Sequence, residues 1–212
     1  MFFRYGSPFY RFMNFVTNLI LLNLLWIFTS LPIFTAGAST TAMYHVLLQY
    51  VNKQDDEVVK PYFRSFKRNF KQATLIWIPH SLLGLALGAE LFYFSETGAG
   101  VIWWILFVAV AVLYMMVSAM LYPMLGRYEN TTRAIIFNSM NLTFRNPLPM
   151  VSAAVLNAAP LLLLLLDLEK FLWTSLVWTF GGLTLLCYLN AVIVMRIFRK
   201  YEEPEEPEEP EA

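Results

Sequence analysis

The chain has 212 residues, 58% of them apolar and only 14% charged, a composition that excludes an ordinary soluble domain and points to the membrane. The formal net charge is zero, but the C-terminal "EEPEEPEEPEA" holds seven of the fifteen acids and no base, so residues 1–201 are distinctly positive. The single cysteine, Cys187, excludes an intrachain disulfide and fits no metal-ligand spacing.

A spanning helix needs about 20 predominantly apolar residues to cross about 30 Å of hydrocarbon. Phe12 to Ser30 meets that need despite Asn14, Asn18 and Asn23. The next stretch, "LPIFTAGASTTAMYHVLLQYV", is broken early by Pro32 and small residues, which leaves Ala36 to Val51 as a short second passage. Three readings are open for it: a full crossing with local bilayer thinning, a re-entrant hairpin, or cleavage at the small-residue turn "AGAS". Four later segments are long enough without qualification: Leu75–Phe94, Val101–Tyr122, Leu148–Leu166 and Phe171–Val194.

Cytoplasmic loops collect Lys and Arg, and this decides the count of passages. If the chain passes the membrane region twice before Val51, fourteen of the fifteen bases fall on the inner side and only Lys170 lies outside. The sequence therefore predicts an all-α, polytopic membrane bundle of about six transmembrane helices, the second short or re-entrant, with both termini cytoplasmic. Residues 1–201 form the membrane domain, and 202–212 form a disordered, solvated Glu/Pro arm.

Between the second and third passages lies "NKQDDEVVKPYFRSFKRNFKQA". On a helical wheel Val59, Phe63, Phe66 and Phe70 share one arc, while Lys60, Arg64, Lys67, Arg68 and Lys71 occupy another. This predicts a basic amphipathic helix on the inner membrane surface, available to anionic lipid or to an acidic partner. Thr131 to Pro147 is a second connector of the same kind. The connectors align at an offset of 74 residues, so 63–122 and 137–196 form candidate hairpin repeats of one shared orientation.

The stretches "LPIFTAGASTTAMYHVLLQYV", "FRSFKRNFKQATLIW" and "YPMLGRYENTTRAIIFNSMNLTFRN" together resemble the YesL family of bacterial integral membrane proteins, a domain of unknown function. The resemblance runs to about residue 200 and stops at the acidic tail. Genes of that family often stand beside those for carbohydrate ABC transporters and polysaccharide-degrading enzymes. The resemblance therefore implies a plasma-membrane protein with an accessory role in saccharide uptake, with transporter subunits as partners. It supplies no catalytic residues.

Ionisable groups within spans are functional candidates by default. Here they are His45, His80 and Glu90, of which the last two are ten residues, or about 15 Å, apart along one helix. The Asn14/Asn18 pair shares a helix face, and Gly84/Gly88 forms a Gly-x-x-x-Gly helix-packing pattern. Phe63, Phe66, Lys67, Arg68, Phe70 and Lys71 form a candidate inner-surface docking site. The sequence has no phosphate-cradling loop, no His-Glu-x-x-His, no Gly-x-Ser-x-Gly and no clustered cysteines. The expectation is a non-enzymatic protein without cofactor, metal or nucleic-acid partner, accessory to saccharide uptake. The alternatives are an autonomous small-solute transporter lined by His45, His80 and Glu90, and a membrane scaffold.

Overall fold

The computed structural model describes residues 8–53, 57–166 and 168–202. Among them it is helical throughout: α1 (Pro8–Ser30), a short turn of 3-10 helix (Ile33–Thr35), α2 (Ala36–Val51), α3 (Val59–Thr97), α4 (Val101–Arg127), α5 (Thr132–Arg145), α6 (Pro147–Leu166), α7 (Leu168–Trp173), α8 (Ser175–Val177), a π turn (Trp178–Gly182) and α9 (Leu183–Tyr201). Four helices among the described residues are long and apolar enough to cross a membrane: Phe9–Ser30, Val59–Thr97, Val101–Arg127 and Ser175–Tyr201. Pro147–Leu161 is a shorter apolar helix.

The short second passage forms the centre of the fold. α2 packs against α1, α3, α4 and α9, and ten of its sixteen residues are buried. Its apolar character is modest, but its residues are small, and small residues let helix backbones approach closely where lipid removes the hydrophobic drive for helices to associate. Two glycines mark the closest approaches. A methyl group on Gly37 would lie 2.5 Å from Cβ of Trp77 and 2.8 Å from the Ala73 carbonyl oxygen, and one on Gly126 of α4 would lie 2.9 Å from the Thr41 carbonyl oxygen. Ser39 and Thr41 return their hydroxyls to the carbonyls of Thr35 and Gly37, so neither of these two hydroxyls is stranded at the interface.

The basic connector differs from the expected surface helix. It is continuous with the next apolar segment, and α3 is one helix of 39 residues, about 58 Å long at 1.5 Å per residue. The stripe that packs inward is Tyr62, Ser65, Asn69, Ala73 and Ile76, all buried. It is not the aromatic arc: Val59 and Phe63 are exposed, while Phe66 and Phe70 are half-buried on the flank, where they continue the ring row of Tyr62. Asn69 donates to the Ser65 hydroxyl, which makes this polar pair fit a buried face. α3 runs through Pro79 and stops at Gly98, whose left-handed backbone (φ 65°) favours glycine.

The second connector, α5, is separate. Its N-cap Thr131 accepts a bond from the Ala134 amide, and it ends at Asn146, where the following proline disfavours helical backbone. At the 74-residue offset its buried Ile135, Ser139 and Thr143 match the buried Pro61, Ser65 and Asn69 of α3. α6 packs on α4 and α9.

The last apolar segment, expected as one helix from Phe171 to Val194, is interrupted. Gly181 adopts φ 135° inside a π turn that ends at Gly182, a conformation that only glycine takes readily. The carbonyls released there do not go unpaired. Asn23 of α1, fully buried, donates its amide nitrogen to the carbonyl oxygens of Trp178 and Thr179, while its oxygen accepts from the Thr184 hydroxyl. A break in a helix at membrane depth needs this kind of satisfaction from a neighbour. The N-terminal residues with Arg4, and the acidic tail beyond Glu202, lie outside the described residues.

Candidate functional site

The three ionisable candidates occupy separate places. His45 is half-buried on α2, with Nδ1 2.8 Å from the Gly126 carbonyl oxygen. A ring nitrogen facing a carbonyl must carry the proton, so Nδ1 donates and Nε2 of the neutral ring is an acceptor. His80, on α3, has Nε2 2.9 Å from the Ser118 hydroxyl, stacks on Tyr114 at 4.5 Å and meets the edge of Tyr122 at 5.8 Å. Tyr114 also donates to the carbonyl oxygen of His80. Gly126 and Ser118 are both on α4, two helical turns or about 12 Å apart. Glu90 is exposed on the distal half of α3. No cavity among those described brings the three together.

The other predicted residues divide in the same manner. A methyl on Gly84 would meet the Tyr114 hydroxyl at 2.6 Å, so this glycine serves the α3–α4 contact, whereas nothing stands within 4 Å of Gly88. Asn14 and Asn18 are half-buried, and Asn18 borders an apolar crevice with Phe15, Leu22, Val46 and Val58. Along α3, Phe63, Lys67, Arg68 and Lys71 are exposed, and Arg68 is paired to Glu129 at 2.7 Å. Phe66 and Phe70 turn toward the core.

The densest polar arrangement was not predicted. Where α4 and α9 end, the Arg127 guanidinium grips the Glu202 carboxylate with both arms, Nε to Oε1 at 2.7 Å and Nη2 to Oε2 at 2.9 Å. The Tyr128 hydroxyl donates to Oε1 at 2.6 Å. The rings of Tyr128 and Phe198 each stand 5.7 Å from the guanidinium carbon and fix it from below. Burial raises the Glu202 carboxyl, but the hydrogen bonds from Tyr128 and Arg127 and the charges of Arg127 and Arg199 outweigh it, and the group titrates below its ordinary value. The Tyr128 phenol is pushed up to about 12, first by burial and then by the carboxylate it faces.

This clamp borders an open pocket of about 320 Å³ lined by His45, Leu48, Gln49, Gly126, Arg127, Tyr128 and Glu202. The side-chain Oε1 of Gln49 is enclosed away from that opening and has no hydrogen-bond partner. The sequence carried one signal for the clamp, a lone base at the end of one apolar run and an acid just past the end of another. It carried none for Gln49. Among the described residues no three His, Cys, Asp or Glu side chains gather as a metal site would require.

The sequence model of a family described as a protein of unknown function, DUF624, matches residues 19–91. That is about a third of the chain. It takes in most of α1, all of α2 and most of α3, with His45, His80 and Glu90, but not the clamp. No curated protein and no solved structure matches the chain.

Proposed function

We propose that the chain is a non-enzymatic, multi-pass protein of the bacterial plasma membrane, accessory to a saccharide importer of the ABC type, which it contacts through α3 at the inner face. In this reading α1, α2, α3, α4, α6 and the α8–α9 segment make six passages, and both termini are cytoplasmic. The resemblance to the YesL family supplies the saccharide context. The observation that carries the contact is the two-sidedness of α3: Ser65, Asn69 and Ala73 are locked on α2, so the opposite side, with Lys60, Phe63, Arg64, Lys67 and Lys71, is presented on a rigid backbone. A pre-organised surface loses less conformational entropy on binding than a mobile loop does. The bases also suit anionic lipid at about 1 kcal/mol each near the surface, so shape must separate a partner from the bilayer.

Phe63 provides that separation, because it is exposed and its removal leaves both the charge and the α2 interface intact. Crosslinking in native membranes followed by purification of the tagged chain should recover importer subunits. Phe63→Ala should lower that recovery with no change in thermal stability, and Lys67→Glu with Lys71→Glu should lower it further. Recovery of the same proteins in the same amounts from all three would leave α3 a membrane anchor and remove the contact site.

A proton-coupled transporter would need His45, His80 and Glu90 on one path. Their separate partners give that reading no geometric support.

A further inference from the structure

The start of α6 and the end of α9 border an open groove of about 520 Å³, whose lining includes Leu148, Ser152, Ile193, Arg196 and Lys200. The spacing on each helix carries the two walls further: Lys200, Arg196, Ile193 and Leu189 follow one another on one face of α9, and Leu148, Ser152 and Val155 on one face of α6. α6 begins where α9 ends, so the two helices run in opposite directions along the groove. Arg196 and Lys200 therefore stand together at its inner end, one turn or about 6 Å apart, while Ile193, Leu189 and Val155 lie deeper. Leu189 is 39% exposed and Val155 61%, so the chain leaves the apolar part of the walls open.

The two bases are accessible and uncommitted. No acid lines the groove, and both side chains are exposed. Among the described residues Arg196 has no ion pair or hydrogen bond, and Lys200 meets only the ring of Tyr201, at 5.3 Å. Other bases at this end of the bundle are engaged: Arg68 by Glu129, Arg127 by Glu202 and Arg199 by Asn52. A basic recess between transmembrane helices at the inner face suits an anionic lipid headgroup.

We propose that this groove is a binding site for one anionic phospholipid, with its phosphate between Arg196 and Lys200 and an acyl chain along Ile193, Leu189 and Val155. Free phosphate shares the charge but cannot use the apolar wall, and the change from basic to apolar along the groove follows the polarity of a phospholipid. Its placement in the inner leaflet rests on the proposed topology. The site itself does not, and it is independent of the α3 contact.

The test uses the full chain in nanodiscs, which offer lipid on both faces, so a reversed orientation would not hide the site. A fluorophore on a cysteine at position 155 reports the groove, and one at the exposed position 85 of α3 reports ordinary lipid contact; Cys187 is buried. Lipids with brominated chains quench a fluorophore that they touch. Two bases correspond to a preference of at least about tenfold, so brominated phosphatidylglycerol should quench at position 155 at about one tenth the mole fraction that brominated phosphatidylcholine needs, with no such difference at position 85. Arg196→Gln with Lys200→Gln should remove the preference at 155, whereas Lys67→Gln with Lys71→Gln, which removes the same charge from α3, should change it less than about twofold. The comparison of positions 155 and 85 in the wild type decides the matter if the groove variant does not fold. Equal preference at both positions, or equal loss in the two double variants, would mean that the bases act only through general charge, and the proposal falls. It falls also if millimolar inorganic phosphate relieves the quenching at 155, because the site would then belong to a free anion.

Discussion

Gly37 stands at the tightest contact of the fold, and its replacement by alanine tests whether α2 is held by close backbone approach. The added methyl would fall 2.5 Å from Cβ of Trp77, 2.8 Å from the Ala73 carbonyl oxygen and 3.1 Å from Cγ of Trp77. Two of these atoms are too close to the backbone to swing away, so α2 and α3 must separate. Overpacking of this kind costs about 1–3 kcal/mol, and contacts this short put Gly37→Ala near the upper figure. Alanine returns up to about 1 kcal/mol of helix propensity, which leaves a net loss of about 2 kcal/mol. For a chain of this length 1 kcal/mol corresponds to about 2–4 °C, so the melting temperature should fall by about 4–8 °C. Gly88→Ala is the matched control, because nothing lies within 4 Å of that methyl and only the propensity gain applies. Its melting temperature should stay level or rise by about 2–4 °C. Both variants can be followed by intrinsic fluorescence on heating in one detergent. If Gly37→Ala melts with or above Gly88→Ala, the α2–α3 contact is not made as described.

Three further outcomes are expected. Asn23→Leu leaves the carbonyls of Trp178 and Thr179 without their donor, at about 1–3 kcal/mol for each acceptor stranded; amide exchange around residues 178–184 should accelerate, while Asn14→Leu should leave it unchanged. The clamp should be insensitive to pH across the neutral range. Glu202 titrates below its ordinary 4.5 and Tyr128 is raised to about 12, so the contribution of the carboxylate is complete above pH 4.5 and is lost as pH falls through the lowered value, while that of the phenol is complete below pH 10 and is lost as pH rises through 12. A spin label near position 203 should therefore stay ordered from pH 5 to 9 in the wild type and be released in Arg127→Gln, and release already at pH 6 would contradict the assignment. Cysteines placed at 67 and 205 should resist an impermeant reagent added from outside, and labelling at position 36 separates a full crossing from a re-entrant turn; Cys187 is buried and should give little background.

The long apolar helices were legible because bilayer thickness writes a length into the sequence. The exposed loops and the turn at Pro32 were legible for the reason that proline and charge punctuate such lengths. The face of α3 was not. The wheel reads Val59, Phe63, Phe66 and Phe70 as the lipid-facing arc of a surface helix and singles out no stripe that packs on the protein. Beside lipid the largest apolar side chains gain nothing by turning inward, while small and hydrogen-bonded residues gain close backbone contact. Ser65, Asn69 and Ala73 hold the interface, and a scale that scores serine and asparagine as polar assigns them to the wrong side. The break at Gly181 was hidden differently. Two adjacent glycines permit a kink but do not require one, and the residue that stabilises it, Asn23, is 155 positions away from Trp178.

The clamp is hidden in the sequence for a related reason. A charge within a span stands out in the sequence because a lone ionisable group there is costly enough to need a purpose. Arg127 and Glu202 each lie at the end of a helix, where a charge is cheap and ordinarily solvated, and 75 residues separate them. Folding makes their pairing specific: the mutually packed rings of Tyr128 and Phe198 support the guanidinium, and the ends of α4 and α9 meet the face of α2 that carries His45 and Gln49. Each group alone has a bland explanation, as an inner-face anchor, the first residue of a solvated tail, a packing histidine or a helix glutamine. Brought together, the guanidinium, the carboxylate and the phenol form one hydrogen-bonded group beside His45 and Gln49, which none of them signals in the sequence.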